Sequence, residues 1–280
     1  MRMSPISSAR LDFDNIDDWV LRLTDALMGH VPDSVGPTLV AAAPEYVEDA
    51  RNLLFDLTDR DAIIDTTLAW VRSTMVAGYH GTRLTDGEVV SVRAMGLLPL
   101  KAEARRNRLV RALSPHPRWG EVADGLDAAI RAHGQRGCAG DREEQVHLTL
   151  SRFGLINGFN HYLTHGAEFD QHVAYALLGS EGKELLGSDG EPRVIQIAVP
   201  GAVALDAAHP FLGIDDLRSR GDVPNLVDEF LTAWSYRLAH PGFQARTLEV
   251  DCGMVFRSTV PSAWVVNIET LPDRCDVDCR

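Results

Sequence analysis

Residues 75–100 read MVAGYHGTRLTDGEVVSVRAMGLLPL, and this stretch decides the fold that the sequence predicts. Its first residues favour a short strand that ends near His80, and Gly81 behind the histidine lets another group approach the backbone closely. A helix follows, because Thr85 and Glu88 have the spacing of a capping box. The stretch therefore predicts a histidine at a strand end that faces the start of a helix.

The composition is that of an ordinary globular chain, with 280 residues, 45% hydrophobic and 24% charged. This length allows one large core with an accessory region. The 27 Lys and Arg against 40 Asp and Glu give a formal net charge of -13, which disfavours nucleic acid as a partner. One basic cluster is predicted to be a solvated helix face. It consists of Lys101, Arg105, Arg106, Arg108 and Arg111.

No long apolar run and no charged-then-apolar leader occurs in the sequence, so we expect a cytoplasmic protein without a membrane partner. The four cysteines are too few and too scattered for a disulfide scaffold. Cys275 and Cys279 have the spacing of half a metal site but lack a second pair. His161 and His165 are interpreted as lying at a strand end and in a turn. We therefore expect no metal.

The first part of the chain predicts an N-terminal helical region, residues 1–74. Three amphipathic stretches repeat apolar residues at the spacing of a helix face, and a Pro- and Gly-rich break at 31–37 separates the first two. A second domain is expected over 75–280, with a helical insertion at about 101–144. The three amphipathic stretches begin near Asp14, Pro44 and Asp59.

The insertion is predicted to hold two helices. Residues 101–113 and 119–133 have helical periodicity, and Gly134 is placed to end the second helix in the left-handed conformation. A Gly- and charge-rich loop follows up to residue 144.

Alternating apolar and polar residues predict strands beyond the insertion, at 146–151, 193–200 and 263–268. Residues 202–205 are expected to extend or pair with the second of these strands. A long helix is predicted to open at Pro224, because apolar residues then recur at helical spacing.

A second strand-to-helix corner is predicted at residues 158–166, GFNHYLTHG, ahead of a helix that contains Tyr175. Tyr162 is expected near the strand end, with Thr164 two residues later. Tyr175 belongs to an apolar helix face and is interpreted as a core residue. Tyr162 has no such face, which makes it the candidate for a site.

These two corners resemble motifs of the ADP-ribosyltransferase superfamily, specifically its His-Tyr-acid branch, to which poly-ADP-ribose polymerases and diphtheria toxin belong. Tyr-His-Gly-Thr at 79–82, with a helix that ends in Gly-Leu-x-Pro at 96–99, is similar to the first motif. Tyr-Leu-Thr at 162–164, followed by Ala-Tyr-Ala at 174–176 in a helix, is similar to the second. The resemblance implies an α+β fold, with a split, mainly antiparallel sheet and flanking helices, over roughly 76–270.

The segment 247–261 resembles the strand and the Val-Pro turn of the third motif. The position at which better-known members carry a glutamate is Gly253 here, so the pattern is departed from. Strand alternation puts Glu249 and Asp251 on the same face as Gly253. One of these two acids is therefore expected to replace the missing glutamate, and Asp251 is preferred because it is nearer.

The resemblance implies that the substrate is NAD, whose N-glycosidic bond breaks through an oxocarbenium-like state. His80 would hydrogen-bond the nicotinamide ribose, and the Gly81 backbone would hold the carboxamide. Tyr162 would stack on the nicotinamide ring, and Asp251 or Glu249 would stabilise the ribosyl cation. The remaining residues expected to bind NAD are Tyr79, Thr82 and Thr164.

The implied activity is that of an NAD-dependent mono-ADP-ribosyltransferase, such as a toxin or defence effector, acting on a macromolecular acceptor. The acidic balance favours protein over nucleic acid as that acceptor. Two alternatives stay open. One is a non-catalytic NAD- or nucleotide-binding module of the same fold. The other is an NAD glycohydrolase or an enzyme similar to RNA 2'-phosphotransferases, although the latter needs basic phosphate clamps that this composition disfavours.

Overall fold

The computed structural model of the chain describes residues 10–134 and 143–272. It shows an α+β protein with an open antiparallel sheet and helices. The predicted loop beyond Gly134 falls largely outside the described residues, and the Cys275 and Cys279 pair falls wholly outside them. Within the described ranges no helix has both the length and the apolar character needed to cross a membrane.

The strands and helices account for most of the described residues. The strands are β1 (Arg10–Leu11), β2 (Met75–Leu84), β3 (Val146–Thr149), β4 (Glu191–Pro200), β5 (Gly253–Phe256) and β6 (Val265–Thr270). The helices are α1 (Ile16–Leu27), α2 (Val35–Ala42), α3 (Val47–Leu57), α4 (Arg60–Arg72), α5 (Asp86–Met95), α6 (Arg106–Leu113), α7 (Trp119–Val122), α8 (Leu126–His133), α9 (Arg152–Asn157), α10 (His161–His165), α11 (Glu168–Leu178), α12 (Ser180–Gly187), α13 (Gly201–Ala207), α14 (Ile214–Ser219) and α15 (Asn225–Ala239). Single turns of 3-10 helix occur at Ala102–Arg105, Ala123–Gly125, Ala245–Leu248 and Ser262–Trp264.

The described strands form one sheet with the order β5-β3-β2-β4-β6, where the resemblance implied a split sheet. The short β1 pairs with β2 in parallel, and β6 pairs antiparallel with β4, with Ile195 opposite Ile268. Strand β2 is buried or half-buried along its whole length because it lies between β3 and β4. The strand that carries His80 is therefore the central one.

The chain divides into two compact units, and the first comprises the described residues up to Gly78 together with 149–154 and 198–254. Helix α15 is its centre and contacts α1, α2, α3 and α4. The rings of Trp19 and Phe230 pack edge to face with centroids 5.0 Å apart, a favourable aromatic geometry. The N-terminal helices therefore share a core with a helix from late in the sequence.

The helices predicted near the N-terminus are present, and Asp59 caps α4 by accepting a hydrogen bond from the Ala62 amide at 3.1 Å. The predicted break at 31–37 is wrong in its second half. Helix α2 begins at Val35, so Gly36 and Pro37 lie in its first turn. Proline is tolerated there because the first amides of a helix have no partner within the helix.

The expected strand extension at 202–205 is also wrong, since these residues lie in α13. The Gly201 amide donates to the Thr74 carbonyl oxygen at 2.8 Å and starts the helix. A Cβ at Gly201 would lie 1.8 Å from the Val71 carbonyl oxygen, so only glycine fits this approach of two backbones.

The second unit comprises 79–148, 155–197 and the described residues from Val255 on. Helix α11 contacts α6, α8, α10 and α12, and the buried side chains between them form an apolar core. The helix predicted over 119–133 is interrupted by a 3-10 turn at Ala123–Gly125. Gly134 is extended rather than left-handed, so the predicted cap conformation is wrong.

We predict that Gly96→Ala destabilises the fold by about 2 kcal/mol or more. Gly96 ends α5 with φ 84° and ψ -164°, a region open essentially to glycine alone. A Cβ there would also lie 2.0 Å from the Val260 carbonyl oxygen. The change in the free energy of unfolding is measured by urea denaturation.

Gly87→Ala is the matched control. Gly87 lies in the first turn of the same helix, and a Cβ there would meet nothing within 4 Å. We expect this variant to be as stable as the wild type or up to about 1 kcal/mol more stable. Equal stability of the two variants would show that Gly96 is not constrained as described.

Candidate functional site

A cavity of about 300 Å³ lies within the second unit. Strand β2 contributes His80, Gly81 and Thr82 to its wall, β3 contributes His147, and α10 contributes Tyr162. Apolar residues of α5 and of the segment after it form much of the remaining surface. A concave, largely apolar wall with a few polar groups is typical of small-molecule sites.

The predicted site residues divide into two sets. Those that line the cavity are His80, Gly81, Thr82 and Tyr162. Those that are not part of its wall are Tyr79, Thr164, Glu249 and Asp251.

His80 is partly buried, and its Nδ1 lies 2.8 Å from the His147 carbonyl oxygen. Because a carbonyl oxygen only accepts, Nδ1 must carry a proton and donate. Burial lowers the pKa of His80, the hydrogen bond to His147 raises it, and the charge of Arg105 lowers it, so that the pKa lies below the ordinary value for histidine. The ring is therefore neutral near pH 7, and its Nε2 is an acceptor.

Gly81 has no side chain, and another group was therefore expected to approach its backbone closely. A Cβ there would lie 2.8 Å from Cδ1 of Leu155, so a neighbouring leucine of the same unit occupies part of that space. The backbone of Gly81 still forms part of the cavity wall.

Tyr162 lies in a short helix, so the predicted strand end at 158–166 is wrong. The Gly166 amide donates to the Tyr162 carbonyl oxygen at 2.9 Å and closes this helix. The rings of His161 and Tyr162 are in contact, with centroids 4.0 Å apart.

The same helix corrects the interpretation of the nearby histidines, because His161 and His165 are one helical turn apart. Among residues 10–134 and 143–272, no group of three or more His, Cys, Asp or Glu side chains is placed to hold a metal ion.

Tyr79 and Thr164 have partners outside the cavity. The Gln196 side-chain amide donates to the Tyr79 hydroxyl at 3.3 Å, and Tyr79 is only 2% exposed. The Thr164 hydroxyl donates to the Asn160 carbonyl oxygen at 3.1 Å, one turn earlier in the helix. Their contribution to NAD binding stays a prediction.

The two candidate acids do not lie on a strand, so the predicted strand alternation of Glu249 and Asp251 is wrong. Strand β5 begins only at Gly253. Glu249 has φ 51° and follows the 3-10 turn at Ala245–Leu248, while Asp251 is exposed. Both belong to the first unit.

The carboxylates that do line the cavity are Glu88 and Glu168. Glu88 completes the predicted capping box, accepting from the Thr85 amide at 2.8 Å. Burial raises the pKa of Glu88, but the hydrogen bonds from Thr85 and the charges of Arg108 and Arg111 together lower it by more. The net shift of the pKa is downward, so Glu88 is ionised near neutral pH. Glu168 begins α11 and lies 3.3 Å from Nε2 of His161.

The prediction of a solvated face holds for Lys101, Arg106 and Arg111, which are exposed, and is wrong for Arg105 and Arg108. The Arg108 side chain is 5% exposed and lies 3.0 Å from Glu88. Arg111 forms two hydrogen bonds to Asp189, at 2.7 and 2.9 Å. These ion pairs join α5, α6 and the turn before β4.

Arg105 extends this buried cluster to the cavity wall, bound to the fully buried Asp170. Sequence reasoning also missed His147 and Glu168 as cavity residues. The sequence did contain a signal that Arg105 faces inward. Arg105, Arg108 and the apolar Ala112 are spaced three and four residues apart, which places them on one helix face.

Comparison of the chain with protein-family models, with curated proteins and with solved structures found no match. The resemblance to ADP-ribosyltransferases therefore stays a prediction from the motif residues.

Proposed function

We propose that the chain is an NAD-dependent mono-ADP-ribosyltransferase of ADP-ribosyltransferase-like fold that binds NAD in the cavity of the second unit. One observation carries the proposal. His80, Gly81 and Thr82 of the first motif line the same cavity as Tyr162 of the second, although they are far apart in sequence. Two motifs recognised separately thus meet where a ligand fits.

The sheet order also supports this proposal. Strand β5, which follows the acids assigned to the third motif, pairs with β3. Strand β3 in turn pairs with β2, which carries His80. The strands of the first and third motifs are therefore separated by one strand.

In the proposed mechanism the neutral His80 orients the nicotinamide ribose. Its Nδ1 proton is committed to the His147 carbonyl oxygen, so Nε2 accepts a hydrogen bond from a ribose hydroxyl. A tautomer fixed by a backbone carbonyl needs no rearrangement when NAD binds.

Tyr162 offers an aromatic face to the nicotinamide ring, and the Gly81 backbone hydrogen-bonds its carboxamide. The ring carries a positive charge in NAD, which favours contact with the face of an aromatic side chain. As the glycosidic bond breaks, positive charge moves to the ribose, where a carboxylate stabilises it. Asp251 holds this role by resemblance, and Glu249 is the alternative.

A second candidate function is a non-catalytic module that binds NAD or a related nucleotide. The observation that favours it is that neither Asp251 nor Glu249 is part of the cavity wall. An NAD glycohydrolase would share the cavity and differ only in the acceptor, which is water. For a transferase, protein is the favoured acceptor because of the net charge of -13, as in a cytoplasmic toxin or defence effector.

We predict that the protein releases nicotinamide from NAD and that His80→Ala and Tyr162→Ala each lower NAD affinity and turnover roughly tenfold or more. Both residues are assigned to contacts that exist before the bond breaks, so binding and turnover fall together. Calorimetry gives the affinity, and nicotinamide release gives the turnover. Transfer of labelled ADP-ribose to protein or nucleic acid separates a transferase from a glycohydrolase.

The matched controls are His172→Ala and Tyr175→Ala. Both side chains are exposed on α11 and neither lines the cavity. We expect these variants to bind and turn over NAD as the wild type does. Unchanged NAD affinity in His80→Ala and Tyr162→Ala would remove the cavity from the proposal.

We further predict that Asp251→Asn lowers turnover roughly 100-fold while NAD affinity is retained. The substitution keeps the shape of the side chain and removes the charge that the transition state needs. Glu249→Gln is the internal comparison, and a larger loss there would transfer the role to Glu249. A wild-type protein that binds NAD without turnover would instead favour the binding module.

A further inference from the structure

Arg105 is the guanidinium group on the cavity wall. Its Nε donates to Oδ1 of Asp170 at 3.0 Å, and its Nη2 donates to Oδ2 of the same carboxylate. This two-point contact fixes the plane of the guanidinium. The third nitrogen, Nη1, has no hydrogen bond to any residue in 10–134 or 143–272, and the side chain stays 25% exposed.

Asp170 is not the partner of Arg105 alone. It is 1% exposed and also faces Arg108, whose Nε lies 3.4 Å from its Oδ2. Arg108 has further carboxylate partners in Glu88 and Asp189, so the feature that distinguishes Arg105 is its uncommitted Nη1 and not an excess of positive charge. The charge of Arg105 is still felt at His80, whose pKa it helps to lower.

The other charged groups on the wall have their own partners. Glu88 accepts hydrogen bonds from Thr85 and from Arg108, at 3.0 Å for the closest arginine contact. Glu168 lies 3.3 Å from Nε2 of His161. Among the wall residues that the structure describes, Arg105 is therefore the one with both a positive charge and an uncommitted donor.

We infer that Arg105 binds an anionic group of the cavity's ligand, specifically a phosphate. Nη1 donates the hydrogen bond, and Asp170 holds the guanidinium in place from behind. The inference rests on the proposed function in one respect, since NAD is the phosphate-bearing ligand that it names. Arg105 comes from the helical insertion at about 101–144, outside the motifs that suggested NAD, so this contact belongs to the particular architecture of this chain.

The experiment compares Arg105→Gln with the wild type in calorimetric binding of three probes. NAD carries both nicotinamide and phosphates, ADP carries phosphates without nicotinamide, and nicotinamide riboside carries no phosphate. We expect Arg105→Gln to weaken NAD and ADP roughly tenfold or more, which is the effect of losing one charge-assisted hydrogen bond. The affinity for nicotinamide riboside should change less than about twofold.

Arg106→Gln is the matched control because it removes the same charge from the neighbouring position. Arg106 is exposed, pairs with Asp127 and does not line the cavity. Its affinity for all three probes should equal that of the wild type. An equal loss in both variants would mean that net charge alone is responsible, and the inference would be wrong.

Removal of Arg105 leaves the buried Asp170 with less compensation, so the single variant could unfold. The double variant Arg105→Gln, Asp170→Asn removes both charges together and keeps the volumes similar. It should fold and show the same selective loss of NAD and ADP. Its binding is compared with that of Asp170→Asn alone, which keeps the arginine and should retain more affinity for ADP than the double variant.

The remaining outcomes separate this inference from the proposed function. NAD and ADP binding that is unchanged by Arg105→Gln overturns the inference and leaves the proposed function standing. ADP binding that depends on Arg105, without any NAD binding, supports the inference and contradicts the proposed function. A wild-type protein that binds none of the three probes contradicts both.

Discussion

The central position of β2 is the constraint on which the candidate site depends. A strand between two neighbours has its backbone hydrogen-bonding groups paired on both sides, so its register is fixed. Burial along β2 leaves few polar side chains on it, and His80 is one of them. The hydrogen bond from Nδ1 of His80 to the adjacent strand then fixes the ring and its tautomer. The chemistry proposed for His80 is therefore set by the sheet.

The buried ion pairs of the second unit hold the other wall of the cavity. Arg108 lies between Glu88 on α5, Asp170 on α11 and Asp189 before β4, which ties these segments to α6. Breaking such a pair leaves an uncompensated buried charge, which costs roughly 3–5 kcal/mol. Arrangements of these segments that separate the charges are therefore disfavoured. Arg105 is held on the cavity wall by its contact with Asp170 in the same cluster.

Much of the fold could be predicted from local sequence signals. The capping box of Thr85 and Glu88, the cap at Asp59 and the apolar spacing of α1, α4 and α15 all depend on neighbours in sequence, and all are present. Residues 158–166 could not be assigned in this way, because so short a stretch between glycines fits a strand end or a single helical turn equally well. The prediction that Glu249 and Asp251 lie on a strand was wrong for a related reason. A 3-10 turn followed by a left-handed residue produces no periodic pattern of apolar residues in the sequence.

The candidate site was predictable where one element carries it and not where it depends on distant partners. His80, Gly81 and Thr82 follow from one strand, and Tyr162 follows from a second motif later in the sequence. The role proposed for Arg105 depends on its contact with Asp170, which is far away in sequence. The spacing of apolar residues along the chain does not predict such a contact. A basic stretch on a helix fits a solvated face and a buried ion-pair cluster equally, until the carboxylates that face it are known.

The most direct measurement of the central claim is a crystal structure of the protein grown with saturating NAD. We predict density for NAD in the cavity of the second unit, with the nicotinamide ring against Tyr162 and a ribose hydroxyl within hydrogen-bond distance of Nε2 of His80. An empty cavity with NAD bound elsewhere on the chain, or no bound NAD at saturation, would contradict it.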